Sequence, residues 1–322
     1  MNGDLMMDTV DRGIIHALQI DGRASFRTIA EILDVSENTV ARRYRQLRNV
    51  HALRVIGLVN GHRLGYVQWT IRLRCTPDAA GSVAKALAAR TDTSFVYLLS
   101  AGTEVSCTVQ TRSTEEQETL LLHKLPRTSR LVAMSAHLLL RGFVLPDGWQ
   151  GLNALTPDQV DHLRPAPVDI EDGALHLDEG DKSLLRALNH DGRTPYSDLA
   201  TATQWSETKV RRRMDTMRRN GILHYQLDIP PAALDFGTEA RLWIATQPAA
   251  TVTVGEAMAS HPEISFAAVT TGATNLVAAV NCRDPHDLGR YLTERIAGLA
   301  GITTVETAPV IRTVKRAGSL LL

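Results

Sequence analysis

The chain has 322 residues, a formal net charge of zero, 44% hydrophobic residues and 22% charged residues, an ordinary composition for a soluble globular protein of about two to four domains. No apolar stretch approaches the roughly 20 residues that span a bilayer, so we expect no membrane partner. The three cysteines, Cys75, Cys107 and Cys282, form no C-x-x-C pair, which argues against a disulfide framework or a zinc site and favours small core residues. The acidic start lacks the basic region of a secretory signal, and we expect a cytoplasmic protein.

The sequence contains one unit twice, at an offset of 170 residues. The segment from Asp11 to Arg23 reads DRGIIHALQIDGR, and the segment from Asp181 to Arg193 reads DKSLLRALNHDGR. The register holds into the arginine-rich stretches that follow. An offset this long indicates duplicated domains rather than a solenoid.

Three short helices are predicted at the start of each copy. In the first copy Val10, Ile14 and Leu18 recur at helical spacing, and Gly22 follows where we expect a left-handed residue to end the helix. A second helix is expected over residues 28–33. After a tight turn, Ser36 supplies an N-cap for the third helix. This arrangement indicates a helix-turn-helix.

The third helix of each copy combines an apolar stripe with a basic face, which is the geometry of a helix that enters a major groove. The stripes are formed by Val40, Tyr44 and Leu47, and by Val210, Met214 and Met217. We expect base contacts from Asn38, Thr39, Arg42 and Arg43, and from Thr208, Lys209, Arg212 and Arg213. Phosphate contacts are expected from Arg45 and Arg48, and from Arg211, Arg218 and Arg219, with Ser36 and Ser206 as the caps. A solvated basic face is the alternative, but two copies with the same cap, stripe and arginine phase favour DNA binding.

A second repeated module follows each helix-turn-helix after a short β-like connector. In the first copy we expect strands at 68–74, 95–99, 105–111 and 132–141, with an Ala-rich helix after the first strand and a helix at 115–125. In the second copy we expect strands at 241–246, 264–270, 275–282 and 302–314, again with an Ala-rich helix after the first strand, and a helix at 285–297. The βαββαβ order is ferredoxin-like. Its helices cover one face of the sheet, so the other face needs a partner sheet, for which the second copy is the nearest candidate.

The sequence therefore predicts an α+β chain with four domains in tandem. The helix-turn-helix domains are predicted at 1–60 and 177–230, and the ferredoxin-like domains at 61–145 and 231–322. A proline-rich and acidic linker at 146–176 joins the copies, with a short helical turn near Thr156 to Leu163.

These residues resemble the feast/famine, or Lrp/AsnC, family of transcription regulators. The likeness rests on Asp11 to Arg23, on the helix start from Ser36 to Arg43, on the run at 221–225, and on the Leu-Gly and Phe-Gly pairs at 64–65 and 236–237. The resemblance implies winged or three-helix helix-turn-helix domains that bind double-stranded DNA, and RAM/ACT-like sensor domains that dimerise and respond to a small molecule, commonly an amino acid. Family members are single-copy dimers, so this chain resembles a fused dimer, and we expect a homo-oligomer of fused chains.

The family's effector site lies near a Gly-x-x-Asp loop between the second and third sensor strands. Here Val105 and Asn275 replace the aspartate of the two loops. The effector candidates are Gly102, Thr103, Thr270, Gly272, Thr274 and Asn275. Alternatively, both glycines form tight turns that need no ligand. Divergence between the copies favours one effector-competent module and one mainly structural module.

Sirohaem decarboxylases, a class of enzyme, also resemble paired or fused Lrp-like chains. In that group we expect an aromatic, basic and His-rich pocket, whereas only 5% of this chain is aromatic. Dinucleotide, phosphate-loop, zinc-protease and serine-hydrolase motifs are absent from the sequence. We therefore expect a DNA-binding regulator rather than an enzyme, with no catalytic residues, metal or cofactor. Asn38 against Thr208, and Thr39 against Lys209, predict unequal half-sites.

Overall fold

The computed structural model describes residues 7–51, 53–124, 130–145, 148–165 and 176–317. It divides into two compact units, Met1–Val59 with Gly151–Asp235 and Asn60–Gln150 with Phe236–Leu322. We call the first the HTH unit, because it holds both helix-turn-helix copies, and the second the sensor unit. The middle of the predicted linker, the predicted helix end at Leu125 and the outer ends of the first and last predicted domains lie outside the described residues. The four predicted domain boundaries stay a prediction.

The HTH unit contains two equivalent triplets of helices. The first triplet is α1 (Thr9–Ile20), α2 (Phe26–Leu33) and α3 (Glu37–His51). The second is α7 (Glu179–His190), α8 (Tyr196–Thr203) and α9 (Glu207–Arg219). The Oγ of Ser36 accepts a hydrogen bond from Thr39 N at 3.1 Å, and that of Ser206 from Lys209 N at 3.3 Å. Both predicted caps are thus confirmed.

The prediction that Gly22 ends α1 in the left-handed region was wrong. Asp21 ends the helix in extended conformation, and Gly22 is not among the residues with positive φ. A Cβ on Gly22 would instead lie 2.7 Å from side-chain atoms of Val55 and of Tyr225. The glycine is needed because strands from both copies approach the backbone closely there.

The two connectors form one small sheet across the copies. Strand β1 (Arg54–Val59) pairs antiparallel with β6 (Leu223–Asp228). Helix α7 packs on β1, where Asn189 Nδ2 donates to the carbonyl of Gly57 at 3.2 Å, and α1 packs on β6. Each first helix therefore packs on the connector strand of the other copy.

The segment from 151 to 165 docks on the first copy. Its helix α6 (Pro157–Leu163) confirms the helical turn predicted in the linker. Leu152, Leu155 and Leu163 are buried. Gln159 Nε2 donates to the carbonyl of Ile32 at 2.8 Å. The predicted linker therefore packs back on the first helix-turn-helix copy.

Each sensor copy has the predicted βαββαβ order. The first consists of β2 (Val67–Cys75), α4 (Ala80–Ala88), β3 (Thr93–Leu99), β4 (Glu104–Thr111), α5 (Thr114–Glu118) with a π-helical turn at Thr119–Lys124, and β5 (Leu131–Val144). The second consists of β7 (Thr238–Thr246), α10 (Thr251–Ala259), β8 (Ile264–Thr270), β9 (Leu276–Cys282), α11 (Pro285–Arg290) with a π-helical turn at Tyr291–Ile296, and β10 (Ile302–Lys315).

The two four-stranded sheets join edge to edge into a closed barrel of order β10-β3-β4-β2-β5-β8-β9-β7. The second copy covers the inner face of the first sheet, as expected, but the hydrogen-bonded closure was not predicted. Both seams have the same register, because Leu139 pairs with Thr270 and Val310 pairs with Leu99 at positions equivalent in the two copies. Closure leaves neither sheet with an unpaired edge.

Among the described residues of the sensor unit, three apolar clusters form the core. One lies under the helices of each copy, and the third lies inside the barrel between the sheets around Tyr97, Leu139 and Trp243. The three cysteines are free and buried, which confirms them as core residues. None of the helices among the described residues is long and apolar enough to cross a bilayer.

Candidate nucleic-acid interface

The apolar stripes of α3 and α9 hold each helix against its own copy and leave the opposite face outward. Val40, Tyr44 and Leu47 are at most 5% exposed, as are the equivalent residues of α9. Asn38, Arg42 and Arg45 are exposed on α3. On α9 the exposed members of the predicted set are Thr208, Lys209, Arg211, Arg212 and Arg219, and the cap Ser206 is exposed as well. The structure thus brings a compact group of cations and hydrogen-bond donors to one face of each helix.

Aromatic side chains orient two of the cations on α9. The Lys209 Nζ lies 4.0 Å from the centroid of the Trp205 ring, and the Arg211 guanidinium carbon lies 3.7 Å from that of Tyr196. Thr39 is half-buried, and its Oγ1 lies 2.9 Å from the Oγ of Ser36. Cation–π packing restrains a long side chain while the charge stays near solvent.

Arg43 and Arg213 lie away from the outward face, contrary to the expectation that they contact bases. Arg43 Nη1 lies 2.7 Å from Asp8 and 3.0 Å from Asp11. Arg213 forms a bidentate pair with Asp181, with distances of 2.6 and 2.5 Å. The pairs link each third helix to the N-terminal capping box of the first helix. Burial lowers the pKa of Arg43, the two aspartates raise it by more, and hydrogen bonds to Asp181 raise the pKa of Arg213.

Arg48 and Arg218 also have protein partners, where the sequence predicted phosphate. Arg48 Nη2 lies 3.1 Å from Asp191, and Arg218 Nη2 lies 3.1 Å from Asp21. Each aspartate ends the first helix of the other copy. The two ion pairs are therefore equivalent and reciprocal, and they connect the third helix of one copy to the first helix of the other.

Arg23 and Arg193, which the sequence marks only as the last residue of each repeat, also connect the two copies. Arg23 Nη1 donates to the carbonyl of Gly192 at 2.7 Å, and Arg193 Nη1 donates to that of Gly22 at 2.8 Å. The Arg193 guanidinium lies against the Phe26 and Tyr44 rings, and its burial lowers its pKa. The repeated Asp-Gly-Arg triplet was the signal that could have identified these residues.

The outward faces of the two helices also differ at positions other than 38 and 39 and their counterparts 208 and 209. Ala41 and Arg45 of α3 correspond to Arg211 and Asp215 of α9 at the offset of 170 residues. Arg45 and Asp215 are both exposed. At one position on this face the first copy therefore presents a cation and the second an anion.

The predicted effector residues lie in two turns of the sensor unit. Gly102 and Gly272 have φ of 81° and 104°, the left-handed region that favours glycine. Thr103 Oγ1 donates to the Ser100 carbonyl at 2.9 Å, and Thr270 Oγ1 donates to the Thr274 carbonyl at 2.9 Å. These hydroxyl groups close the turns.

Asn275, the residue expected to contact an effector, is engaged within its own copy. Its Oδ1 accepts from Thr246 N at 2.8 Å, and its Nδ2 donates to the Thr246 carbonyl at 3.1 Å. The Nδ2 also donates to Thr251 Oγ1 at 3.2 Å. The amide is thus committed to joining β7, α10 and the turn before β9. Across the described part of the chain, no group of three His, Cys, Asp or Glu side chains is placed to hold a metal ion.

Paired helix-turn-helix copies with outward basic helices, in one chain with ferredoxin-like sheets, are typical of nucleic-acid-binding regulators. The model of the AsnC-type helix-turn-helix domain matches residues 7–48 and 177–218, and the model of the Lrp/AsnC ligand binding domain matches residues 239–320. The chain belongs to the Lrp/AsnC family of transcriptional regulators.

The chain has about twice the length of the curated relatives that it resembles. An uncharacterized HTH-type transcriptional regulator of Pyrococcus abyssi is 32% identical over 45% of this chain and 91% of its own length. The HTH-type transcriptional regulator LrpA of Pyrococcus horikoshii is 28% identical over 43% of this chain and 99% of its own length. The two matches of the helix-turn-helix model in one chain agree with a duplication.

A solved structure covers both copies at once. The siroheme decarboxylase NirDL superposes with a TM-score of 0.63 over 96% of this chain and 93% of its own, at 15% sequence identity. At this identity the likeness describes the fold.

Proposed function

We propose that this chain is a sequence-specific DNA-binding regulator in which one polypeptide acts as a pseudo-dimer. The observation that carries the proposal is the pair of capped, outward basic helices, α3 and α9, in a single unit. Membership of a family of DNA-binding regulators supports it. We also propose that the chain consists of the four domains predicted from the sequence and that it acts in the cytoplasm.

The base-reading set that we propose is smaller than the one that the sequence predicted. It consists of Asn38, Thr39 and Arg42 on α3 and of Thr208, Lys209 and Arg212 on α9, with Arg45 and Arg211 on phosphates. Arg43, Arg48, Arg213 and Arg218 are assigned to holding the helices in position, because their guanidinium groups already contact carboxylates. Since the two outward faces differ, the operator has two unequal half-sites.

Footprinting on the chain's own upstream region followed by gel shifts tests this proposal. Arg42→Ala and Arg212→Ala should each cost about 1–3 kcal/mol of binding and relax the preference at one half-site. Arg186→Ala, an exposed arginine on α7, is the matched control and should leave binding unchanged. Unchanged sequence preference in both helix variants would overturn the proposal.

We further propose that a small-molecule effector acts on the second sensor copy, whose residues 239–320 match the ligand binding domain model. Asn275 then holds the turn at Gly272 in shape instead of contacting the effector. Calorimetry against amino acids and central metabolites tests this, with Asn275→Ala as the comparison. Absence of heat across a broad panel would favour effector-independent DNA binding.

Siroheme decarboxylation remains the second candidate, because the NirDL likeness extends over nearly the whole chain. The outward basic helices of both copies favour the regulator. Absorbance titration with an iron-uroporphyrin distinguishes the two. Saturable binding together with loss of carbon dioxide would favour the enzyme, and the absence of both would exclude it.

A further inference from the structure

The inner faces of the two sensor sheets meet at equivalent positions. Strands β2 and β7 each have nine residues, and Arg72 and Trp243 are the sixth residue of each. The Arg72 guanidinium carbon lies 3.7 Å from the centroid of a Trp243 ring. Because both seams of the barrel have the same register, a residue at this position faces its own counterpart in the other copy.

Charge reinforces this contact across the copies. Arg72 Nε donates to Glu104 of its own copy at 2.5 Å, and its two Nη atoms donate to Glu306 of the other copy at 2.9 and 2.6 Å. Arg72 is only 13% exposed. The Arg72 hydrogen bonds are the main cause that lowers the pKa of Glu306. Serine stands at the position of Glu306 in the first copy, since Ser135 and Glu306 are the fifth residues of β5 and β10.

In a second contact of the same kind, the second copy supplies the cation and the first copy supplies the ring. The Arg241 guanidinium carbon lies 4.0 Å from the centroid of the Tyr97 ring. Thr70 is the counterpart of Arg241, as the fourth residue of β2, and Ala268 is that of Tyr97, as the fifth residue of β8. In each contact one copy supplies the cation and the other copy supplies the ring.

Like-with-like pairing would keep the Arg72–Glu104 contact within a copy and lose every one of the contacts that cross the copies. Two first copies would place Arg72 against Arg72 without Glu306, and Tyr97 against Thr70. Two second copies would place Trp243 against Trp243, leave Glu306 without its cation, and place Arg241 against Ala268. Losing a partner from a partly buried charge pair is costly.

We propose that these contacts form a lock that makes the first sensor copy select the second copy over itself, so that every closed barrel contains one copy of each kind. The partner that each inner face recognises is the unlike half, and the partner that it rejects is its equal from another chain. This specificity does not depend on the proposed DNA-binding function. It arises from attraction in the correct pair and unpaired charge in the wrong ones.

A nicked full chain tests the selection directly. A protease site placed within 166–175 is cleaved, both halves are unfolded and refolded together, and native mass spectrometry counts unlike and like pairs. The quantity of interest is the squared amount of unlike pairs divided by the product of the two like pairs, which is about 4 for random pairing. We expect a value at least about tenfold higher for the wild-type sequence.

Arg72→Trp and Trp243→Arg place two rings or two cations at the contact, and each should lower this ratio at least about tenfold. The double variant restores a cation and a ring in opposite order and should recover most of the ratio. Ser135→Ala, next to Arg72 in the sheet, is the matched control and should leave it unchanged. A ratio near the random value for wild type, or unaltered by the single variants, would overturn the lock.

The intact chain gives an independent measurement if the halves refold poorly. Both single variants should lower the thermal midpoint, and the double variant should recover at least half of the summed loss. Additive losses in this cycle would overturn the lock as well.

Discussion

Arg212 and Arg213 are neighbours in α9 with opposite environments. Arg212 is exposed on the outward face, whereas Arg213 contacts Asp181, a carboxylate with no exposed surface. The same contrast separates Arg42 from Arg43 in α3. Because both carboxylates also cap the first helix, the inner arginine of each pair holds the third helix against the first helix of the same copy.

Arg213→Met should therefore lower the free energy of unfolding by about 3 kcal/mol, since it leaves the buried Asp181 without its cation. Arg212→Met, one residue away, should change it by less than about 0.5 kcal/mol and weaken DNA binding instead. Urea denaturation followed by circular dichroism measures the stability. An Arg213→Met protein with the wild-type midpoint would show that the pair does not mount the helix.

His16 links the docked segment to the first copy through an unprotonated nitrogen. Its Nδ1 accepts hydrogen bonds from Ala154 N at 3.2 Å and Leu155 N at 3.1 Å, which only the neutral ring can do. Burial lowers the pKa of His16 below its ordinary 6.5. The folded chain thus binds this proton less readily than the unfolded chain.

Stability should therefore decrease as the pH falls from above 6.5 towards the lowered pKa of His16. His261, whose pKa burial also lowers, contributes in the same direction. His16→Gln keeps a hydrogen-bond acceptor and removes the titration. The stability of this variant should therefore fall less than that of the wild type between about pH 7.5 and about pH 5.5, roughly one unit on each side of 6.5. Equal slopes in His16→Gln and in the wild type would contradict the assignment.

Among the elements, helices α3 and α9 are held in the same way but present different outward faces. The caps, the stripes and the inner ion pairs are equivalent in the two helices. Arg45 and Asp215 occupy the same exposed position with opposite charge. If these helices bind DNA, as we propose, the carboxylate of Asp215 in the second copy repels the DNA phosphates.

Asp215→Arg should strengthen binding to all DNA sequences about equally and increase the salt dependence by about one counterion. Arg45→Asp, the converse change on α3, should have the opposite effect of similar size. Fluorescence anisotropy over a salt series measures both. If Asp215→Arg altered the preference for particular bases instead, Asp215 would be a base contact and not a phosphate repellent.

At the scale of the whole molecule, pairing within one chain is built into both units. In the HTH unit, Arg23 and Arg193 exchange hydrogen bonds between the copies, and Arg48 and Arg218 exchange ion pairs. In the sensor unit, the strands close a common barrel. A duplicated chain thereby keeps two unlike helix-turn-helix copies together, which a homodimer of a single-copy chain does not.

Because contacts between the two copies hold α3 and α9 in place within the HTH unit, the half-sites of the proposed operator should have a fixed spacing. Inserting half a helical turn, about 5 base pairs, between the half-sites should abolish high-affinity binding. The Arg23→Ala/Arg193→Ala double variant, in which the exchange is lost, should discriminate less between the two spacings. Gel shifts with both operators measure this, and equal binding of both by wild type would indicate helices that move independently.

The local structure of this protein was predictable from short stretches of sequence. Helical spacing, the capping serines at Ser36 and Ser206 and the βαββαβ order each depend on residues within a few positions of one another, and the structure has them where they were expected. The duplication was visible because both copies keep the same local signals.

Which partner each individual side chain contacts became clear only from the folded structure. Arg48 meets Asp191, Gly22 meets Tyr225 and Arg72 meets Glu306, and all three contacts join different copies. The sequence does not show which distant residue will pair with a given charge or leave no room for a side chain. The energy of a charge depends on what surrounds it after folding. Local residue patterns were enough to predict the elements and the family, whereas the contacts made on folding establish which arginines face outward and which hold the two copies together.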